Sequence, residues 1–479
     1  MKTSRSRVLV TAGVLSGLVM VGSGLEAFGL TGSSGGGGEA TETVLTGRVF
    51  DAPAGEVVED GVVVIRGEEI VCAGPRTACE ASDGARTEDY GDAMILPGLI
   101  DMHVHARPWY AGAFLPSGVT TVRDANNALG VVEEIRGTPG VPRLLASGPL
   151  LDGADSRLAA MTGTAGSVGD GDLETLEPIL ASDPDAAVEA VEALAVWGVD
   201  LVKLYQGLEP EVFATAAEAA GARGLPVAAD VGMLATGGLD GAVDIVDAAQ
   251  AGASTVEHMS GLALAYQRRG GDPFEEALQE DLLAEIADAV AATQAAVVPT
   301  MANAYQFSEP GSLEMAGLPG SDVLVPWLEE SHWPRLLAWA SQMPEVAAAD
   351  GRLGEALLPR LQTRGVPIAA GSDLPAAPCM LPGSALHQEL EALVQAGLSP
   401  TEALQAATVT AADLLGRDDL GRLERGAPAD LVVVDGDPTE TILDTRRIEA
   451  VWFAGERVDL DAAWTQVEEA LAEAPVEGP

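Results

Sequence analysis

Five histidines are spread over 479 residues, and two of them stand one position apart, as His103-Val104-His105, at the end of an apolar run. In an extended strand, residues i and i+2 share a face, so both imidazoles are presented together. Paired imidazoles are ligands for zinc and related ions. Lys203, between Val202 and Leu204, is one of only two lysines, the other being Lys2; every other cationic side chain is arginine. Burying a lone ammonium is costly and favours the neutral amine, which can add carbon dioxide and become a carbamate with two oxygens able to bridge two cations. Arginine has no such chemistry; an ion pair with a nearby carboxylate is the alternative reading. Two further apolar runs close on Glu257-His258 and Gly371-Ser372-Asp373. Singly, His258 reads as a structural histidine and Asp373 as a cap. Jointly, with His103, His105 and Lys203, they make a candidate metal-ligand set.

These residues need elements to carry them. Eight segments read as strands: 99–105, 120–124, 143–148, 201–205, 226–230, 254–258, 296–300 and 367–373. Between them lie stretches rich in Ala, Leu and Glu at helical spacing, for instance 210–223 and 282–292. Eight strand–helix units in one region predict an α/β fold, a (β/α)8 TIM-like barrel, and the candidate ligands then fall at the C-terminal ends of its strands, where barrel active sites sit. Short β-branched runs at 44–50, 61–66 and 69–73 return near the other end at 431–434 and 449–453, which predicts a small β-sandwich domain assembled from both chain ends. The expected division is 43–96 with 418–458 for that composite domain, 97–417 for the barrel, and 459–479 for a C-terminal helix and acidic tail, the helix face being Leu460, Trp464, Val467 and Leu471. Residues 154–184 read as a Gly-rich acidic loop over the barrel mouth. Residues 303–350 read as an insertion carrying Trp327, Trp333 and Trp339, which either line a cleft or pack as core.

Composition narrows the partners. Lys and Arg number 26 against 73 Asp and Glu, a formal net charge of −47, so nucleic acid and anionic membranes are repelled; a salt-rich habitat is the plain explanation of such acidity. Hydrophobic residues make up 47% of the chain, ample for a core. Residues 1–27, with Lys2, Arg5 and Arg7 before an apolar run from Val8 to about Leu25, read as a signal peptide, an uncleaved anchor being the alternative; a Gly/Ser linker follows at 28–42. The expected location is therefore periplasmic or secreted, with membrane contact only through an uncleaved leader, and self-association stays open. Cys72 and Cys79 flank a Gly-Pro turn and either pair across it in an oxidising compartment or remain reduced thiols. Cys379 is left over, with nothing to mark it as a nucleophile.

The motifs as a set resemble the amidohydrolase superfamily, nearest its imidazolonepropionase-like and Xaa-dipeptidase branch. The resemblance rests on Leu96-Pro-Gly-Leu-Ile-Asp-Met-His-Val-His105, Gly118-Val-Thr-Thr-Val-Arg-Asp124, Val202-Lys-Leu-Tyr205, Val256-Glu-His258, Gly371-Ser-Asp373, Gly397-Leu-Ser-Pro-Thr-Glu-Ala-Leu404 and Ala427-Pro-Ala-Asp-Leu-Val-Val434, in order over about residues 44–458. It implies two divalent metal ions, zinc first and manganese or iron as alternatives: His103, His105 and Asp373 on one, His258 on the other, and a Lys203 carbamate as bridge. Where the superfamily usually ends strand five with histidine, this chain has Asp230, which either ligates as a harder, more anionic donor or marks a one-metal or degenerate site. His332 and His387 fall away from strand ends and are not recruited. The implied chemistry is attack of metal-activated water on a polarised carbonyl, with Asp373 moving the proton to the leaving nitrogen. Tyr205, on the Lys203 face, and Arg123 are candidate substrate contacts, although an internal salt bridge is the stronger reading of Arg123. The expected activity is hydrolysis of C–N bonds in small substrates such as dipeptides or N-acyl amino acids. A cyclic-amide ring hydrolase of imidazolone type, or a non-catalytic barrel, are the alternatives.

Overall fold

The computed structural model describes residues 42–168 and 174–475; the expectations for residues 1–41 and 476–479 lie outside it. Seven strands, Glu42–Asp51, Glu56–Arg66, Glu69–Pro75, Arg86–Pro97, Leu431–Val434, Ile448–Phe453 and Glu456–Arg457, form one sheet from both ends of the chain. Arg86–Pro97 is the junction: it runs parallel to Glu42–Asp51 and antiparallel to Leu431–Val434, with Ile95 opposite Val433. Alternation along Val62–Ile65 sends Val63 and Ile65 into a cluster with Leu45, Ile95, Leu431 and Val433. Val62 and Val64 face a smaller cluster with Val44, beside which Cys72 and Cys79 form a disulfide. The two ends are thus joined as expected, but in a single seven-stranded sheet where two stacked sheets were expected.

Between the ends, parallel strands alternate with helices. Leu99–Val104, Val119–Asp124 and Arg143–Ala146 make one three-stranded sheet. Ala296–Val298, Thr255–Glu257, Val227–Ala229, Val202–Leu204, Leu151–Asp152 and Ile179–Leu180, in that order, make a second. Six of them, Leu99–Val104, Val119–Asp124, Val202–Leu204, Val227–Ala229, Thr255–Glu257 and Ala296–Val298, are buried along their whole length, as parallel strands covered on both faces must be. Pro184–Trp197 shows how the helices manage this: Asp183 caps its N-terminus by accepting from Ala186 N–H, and Ala187, Ala190, Val191 and Leu194 share its inner face.

Two expectations change here. The third strand, read as 143–148, ends at Ala146; after a break at Gly148, which has φ 64°, the chain resumes as Leu151–Asp152 on the other sheet. The ladder therefore parts into two sheets rather than closing as eight regular strands. Residues 367–373 are not a regular strand either. They meet their neighbours through bridges of Ile368 to Val297 and Leu374 to Val104, with Met102 N–H donating to Ala370 O at 2.9 Å and Asp373 N–H to His103 O at 2.7 Å. The architecture is a TIM-barrel-like α/β domain. The stretch 154–184, read as a loop, contains the helix Arg157–Thr162 and the strand Ile179–Leu180. The insertion folds as helices, among them Met301–Ser308, Ser321–Ser331 and Trp333–Ala340. The C-terminal helix Leu460–Ala472 buries Val467 and Leu471 and lays Leu460 and Trp464 against the main core. Among the described residues no helix is long and apolar enough to cross a membrane.

Candidate metal centre

His103 and His105 leave the strand Leu99–Val104 on one face, as the period of two requires. Asp373 meets them from the opposite side: its Oδ1 lies 3.2 Å from His105 Nε2 and 3.5 Å from His103 Nε2. One ligand atom from each of the three falls within 4.8 Å of the others, a grouping that could hold a metal ion. What surrounds them fits that use. His103 Nδ1 stands 2.6 Å from Glu257 Oε2, and because a carboxylate only accepts, Nδ1 carries the proton and the Nε2 lone pair faces the cluster. Burial above all, then the neighbouring Lys203, His258 and His105, hold the His103 pKa well below its usual value, so the ring is a neutral donor. Outer carboxylates of this kind orient metal-binding imidazoles. Asp101 ties the two strand ends together, accepting from Ser372 N–H at 2.9 Å, Ser372 Oγ–H at 2.6 Å and His103 N–H at 3.2 Å. Burial pushes its carboxyl up to about 7. Asn303 Nδ2 donates to Asp373 Oδ2 at 2.7 Å. Burial alone would raise the Asp373 pKa, but His258, His105 and Lys203 hold it below the usual range.

Lys203, Asp230 and His258 complete the cluster. Lys203 is 1% exposed; its Nζ is 3.2 Å from His103 Nε2 and 3.7 Å from Asp230 Oδ2. The same Asp230 oxygen is 3.5 Å from His258 Nε2, and the His258 and His103 rings are 4.4 Å apart between centroids. His258 Nδ1 is held on the Thr300 hydroxyl at 2.9 Å. Asp230, the departure at the fifth strand, is thus turned into the cluster between Lys203 and His258. All six expected metal residues are brought together. The backbone is also strained here: His258, Thr300 and Asp373 have φ of 59°, 47° and 56°, a left-handed conformation that non-glycine residues adopt at a cost and that gathers at functional sites.

The two candidate substrate contacts differ. Tyr205 is half-buried, its ring 5.8 Å from Lys203 Nζ. Arg123 is buried and turned inward: its Nε donates to Met102 O, Nη1 to Thr255 Oγ1, and Nη2 to both oxygens of Glu257 at 2.8 and 2.7 Å. Its partner is Glu257, not the adjacent Asp124, and its place is behind His103 rather than on substrate. The reading of residue types did not single out Glu257, Thr300, Asn303 or Asp101 as supports. Glu257 and Asp101 sit inside quoted motifs, and Thr300 ends a predicted strand, so position was the available signal. Of the three tryptophans, Trp327 lines a cleft with Arg107, Trp109, Tyr110, His332 and Pro375. Trp333 is buried, and Trp339 packs edge-on to Phe307 at 4.8 Å. Two of its lining residues follow cluster residues closely in the chain, Arg107 two residues beyond His105 and Pro375 two beyond Asp373. His332 Nε2 is spent on Pro375 O at 2.9 Å, and His387 lies between Ser117 O and Thr445 Oγ1. Cys379 is buried and its thiol pushed up by burial.

Known proteins carry the same plan. The chain is 25% identical over 417 residues to an imidazolonepropionase of Deinococcus radiodurans, covering 84% of this chain and 93% of that protein. Among solved structures it is similar to a Xaa-Pro dipeptidase with bound methionine in the active site, at TM-score 0.61 and 21% identity over 87% of this chain and all of that one. It is similar also to the A. niger ochratoxinase, at TM-score 0.65 and 19% identity, covering 88% of this chain and 96% of that one. With the family model matching residues 94–458, from the strand that precedes the His pair to the last strands of the terminal sheet, the chain belongs to the Amidohydrolase family.

Proposed function

We propose that this chain is a metal-dependent hydrolase of C–N bonds in small substrates, dipeptides or N-acyl amino acids. In this reading it works with two divalent ions, zinc before manganese or iron, bridged by a carbamate on Lys203. The observation that carries the reading is the convergence of His103, His105, Lys203, Asp230, His258 and Asp373 on one buried spot at the strand ends. His103, His105 and Asp373 would hold one ion, Asp230 and His258 the other. Ions there would lower the pKa of a water and polarise the scissile carbonyl. That carbamate would form by attack of the Lys203 nitrogen on the carbon of carbon dioxide with loss of one proton. Asp373, braced on Oδ2 by Asn303, takes the water's proton and returns it to the leaving nitrogen. The cleft bounded by Arg107, Trp109 and Trp327 supports a substrate with an apolar group and a carboxylate, the guanidinium offering a planar donor fork to the latter.

Export, to the periplasm or beyond, remains part of the reading. The basic and apolar leader and the Cys72–Cys79 disulfide support it. The reading also keeps the division into a composite terminal domain, 43–96 with 418–458, and a barrel-like hydrolase domain over 97–417. The test is turnover by the full-length, metal-loaded protein on a panel of dipeptides, N-acyl amino acids and cyclic amides. Cleavage of linear amides that is lost on chelation and in Lys203→Ala is the expected result. Preferential opening of cyclic amides would transfer the reading to ring hydrolysis, and turnover indifferent to chelator would overturn the metal mechanism.

A further inference from the structure

Asp152 is not among the residues used above, yet it closes the strand Leu151–Asp152, beside Val202–Leu204, which carries Lys203. It is 0% exposed. Its Oδ1 accepts the N–H groups of Gly153 and Gly207, both at 2.8 Å, whereas among the described residues Oδ2 makes no well-formed hydrogen bond. Two glycines make this grip. A Cβ on Gly153 would sit 1.8 Å from Gly207 O, and one on Gly207 would sit 2.6 Å from Asp152 Oδ1. The loops after two neighbouring strands therefore touch backbone to backbone and hold the carboxylate in one orientation. Among the described residues no arginine or lysine forms a salt bridge with it. Burial raises its pKa, the Ser156 hydroxyl, near enough to act as a weak donor to the carboxylate, lowers it, and the charge of Asp230 raises it; Tyr205 in turn feels Asp230, Asp152 and Asp373. A buried carboxylate with no paired cation and one oxygen outside any well-formed hydrogen bond is costly to maintain, and a cation brought to the neighbouring strand ends would supply the missing partner.

We propose that Asp152 Oδ2 receives the free ammonium group of the substrate, so that the enzyme takes dipeptides with an open amino terminus in preference to N-acyl amino acids. The proposal rests on the hydrolase reading, which leaves those two classes open. It also gives the cluster two unlike flanks. Asp152 and Tyr205 stand on the Lys203 and Asp230 side, while Arg107 and the aromatic cleft follow His105 and Asp373. A zwitterionic dipeptide matches that polarity, and an acylated amino acid matches only one end.

The test compares L-leucyl-L-phenylalanine with 4-methylpentanoyl-L-phenylalanine, which has the same scissile amide and lacks only the ammonium. The full-length, metal-loaded protein is set beside Asp152→Asn, with metal content and melting temperature recorded for both. The expected result is a wild-type kcat/KM preference for the dipeptide of about ten- to hundredfold, the worth of one charge-assisted hydrogen bond, which collapses in Asp152→Asn at unchanged metal content. Equal cleavage of the two by wild type, a preference kept by the variant, or loss of metal from it would overturn the subsite and leave the hydrolase reading standing. If neither substrate nor any member of the wider panel is cleaved, the hydrolase reading fails by itself. Calorimetric binding of the same pair then decides the subsite. A dipeptide preference abolished in Asp152→Asn supports it, and equal or absent binding overturns it.

Discussion

His103 and His105 stand 3.5 and 3.2 Å from a shared oxygen of Asp373, whereas Lys203 and His258 stand 3.7 and 3.5 Å from a shared oxygen of Asp230. The distances are close; the supports are not. Behind the first half lie, in full burial, the ion pair of Glu257 and Arg123, with Glu257 on His103, and the Asp101 carboxyl, which burial pushes up to about 7, across the two strand ends. Behind the second lie a neutral hydroxyl, Thr300, and a backbone N–H, Gly232, which donates to Asp230 Oδ1 at 3.3 Å. Charge-assisted bonds are shorter and about twice as strong as neutral ones. The first half is thus positioned before any ion arrives, and the second is the half whose donors depart from the superfamily's usual set and whose proposed bridge forms only when carbon dioxide is added.

Substitutions can break or sharpen that contrast. The largest effect is expected from Asp373→Asn, which would remove both a ligand and the proton carrier of the proposed mechanism. Steady-state kcat should fall by about 10²–10⁴, and a loss under tenfold would assign the proton transfer elsewhere. Next comes Glu257→Gln. It should weaken metal affinity by about 10–100-fold, and by leaving Arg123 buried without its counter-charge it should cost about 3–5 kcal/mol of stability, read by urea denaturation. The smallest is Thr300→Val, which keeps the β-branched shape and removes only the hydroxyl beside His258. Metal titration should show a change of less than about tenfold, in keeping with a neutral hydrogen bond of about 0.5–1.5 kcal/mol. Were Thr300→Val to cost more than Glu257→Gln, the contrast between the halves would be wrong.

The candidate cluster was legible because strand periodicity is local. His103 and His105 had to share a face, and Lys203 betrayed itself by being a lysine where the chain otherwise uses arginine. Asp230, singled out because it stands where the superfamily usually has histidine, lies between Lys203 and His258. Asp152 was missed for a structural reason: the third strand was read as ending at 148, and only the fold shows the chain breaking at Gly148 and resuming on the neighbouring sheet. The six-residue spacing of the tryptophans could not reveal that Trp327 would face a cleft while Trp333 and Trp339 joined the core.

By itself the sequence determined the family, the alternation of strands and helices, and which six side chains end on the cluster. Those properties follow from periodicity and from residue chemistry that acts over a few positions. The tertiary structure alone decided that Arg123 pairs with Glu257, 134 residues away, that the chain ends share one sheet instead of two, and that Asp152 keeps one oxygen outside any well-formed hydrogen bond. Such outcomes depend on which distant segments pack together, and burial makes each of them matter by removing the water that would otherwise satisfy the same groups.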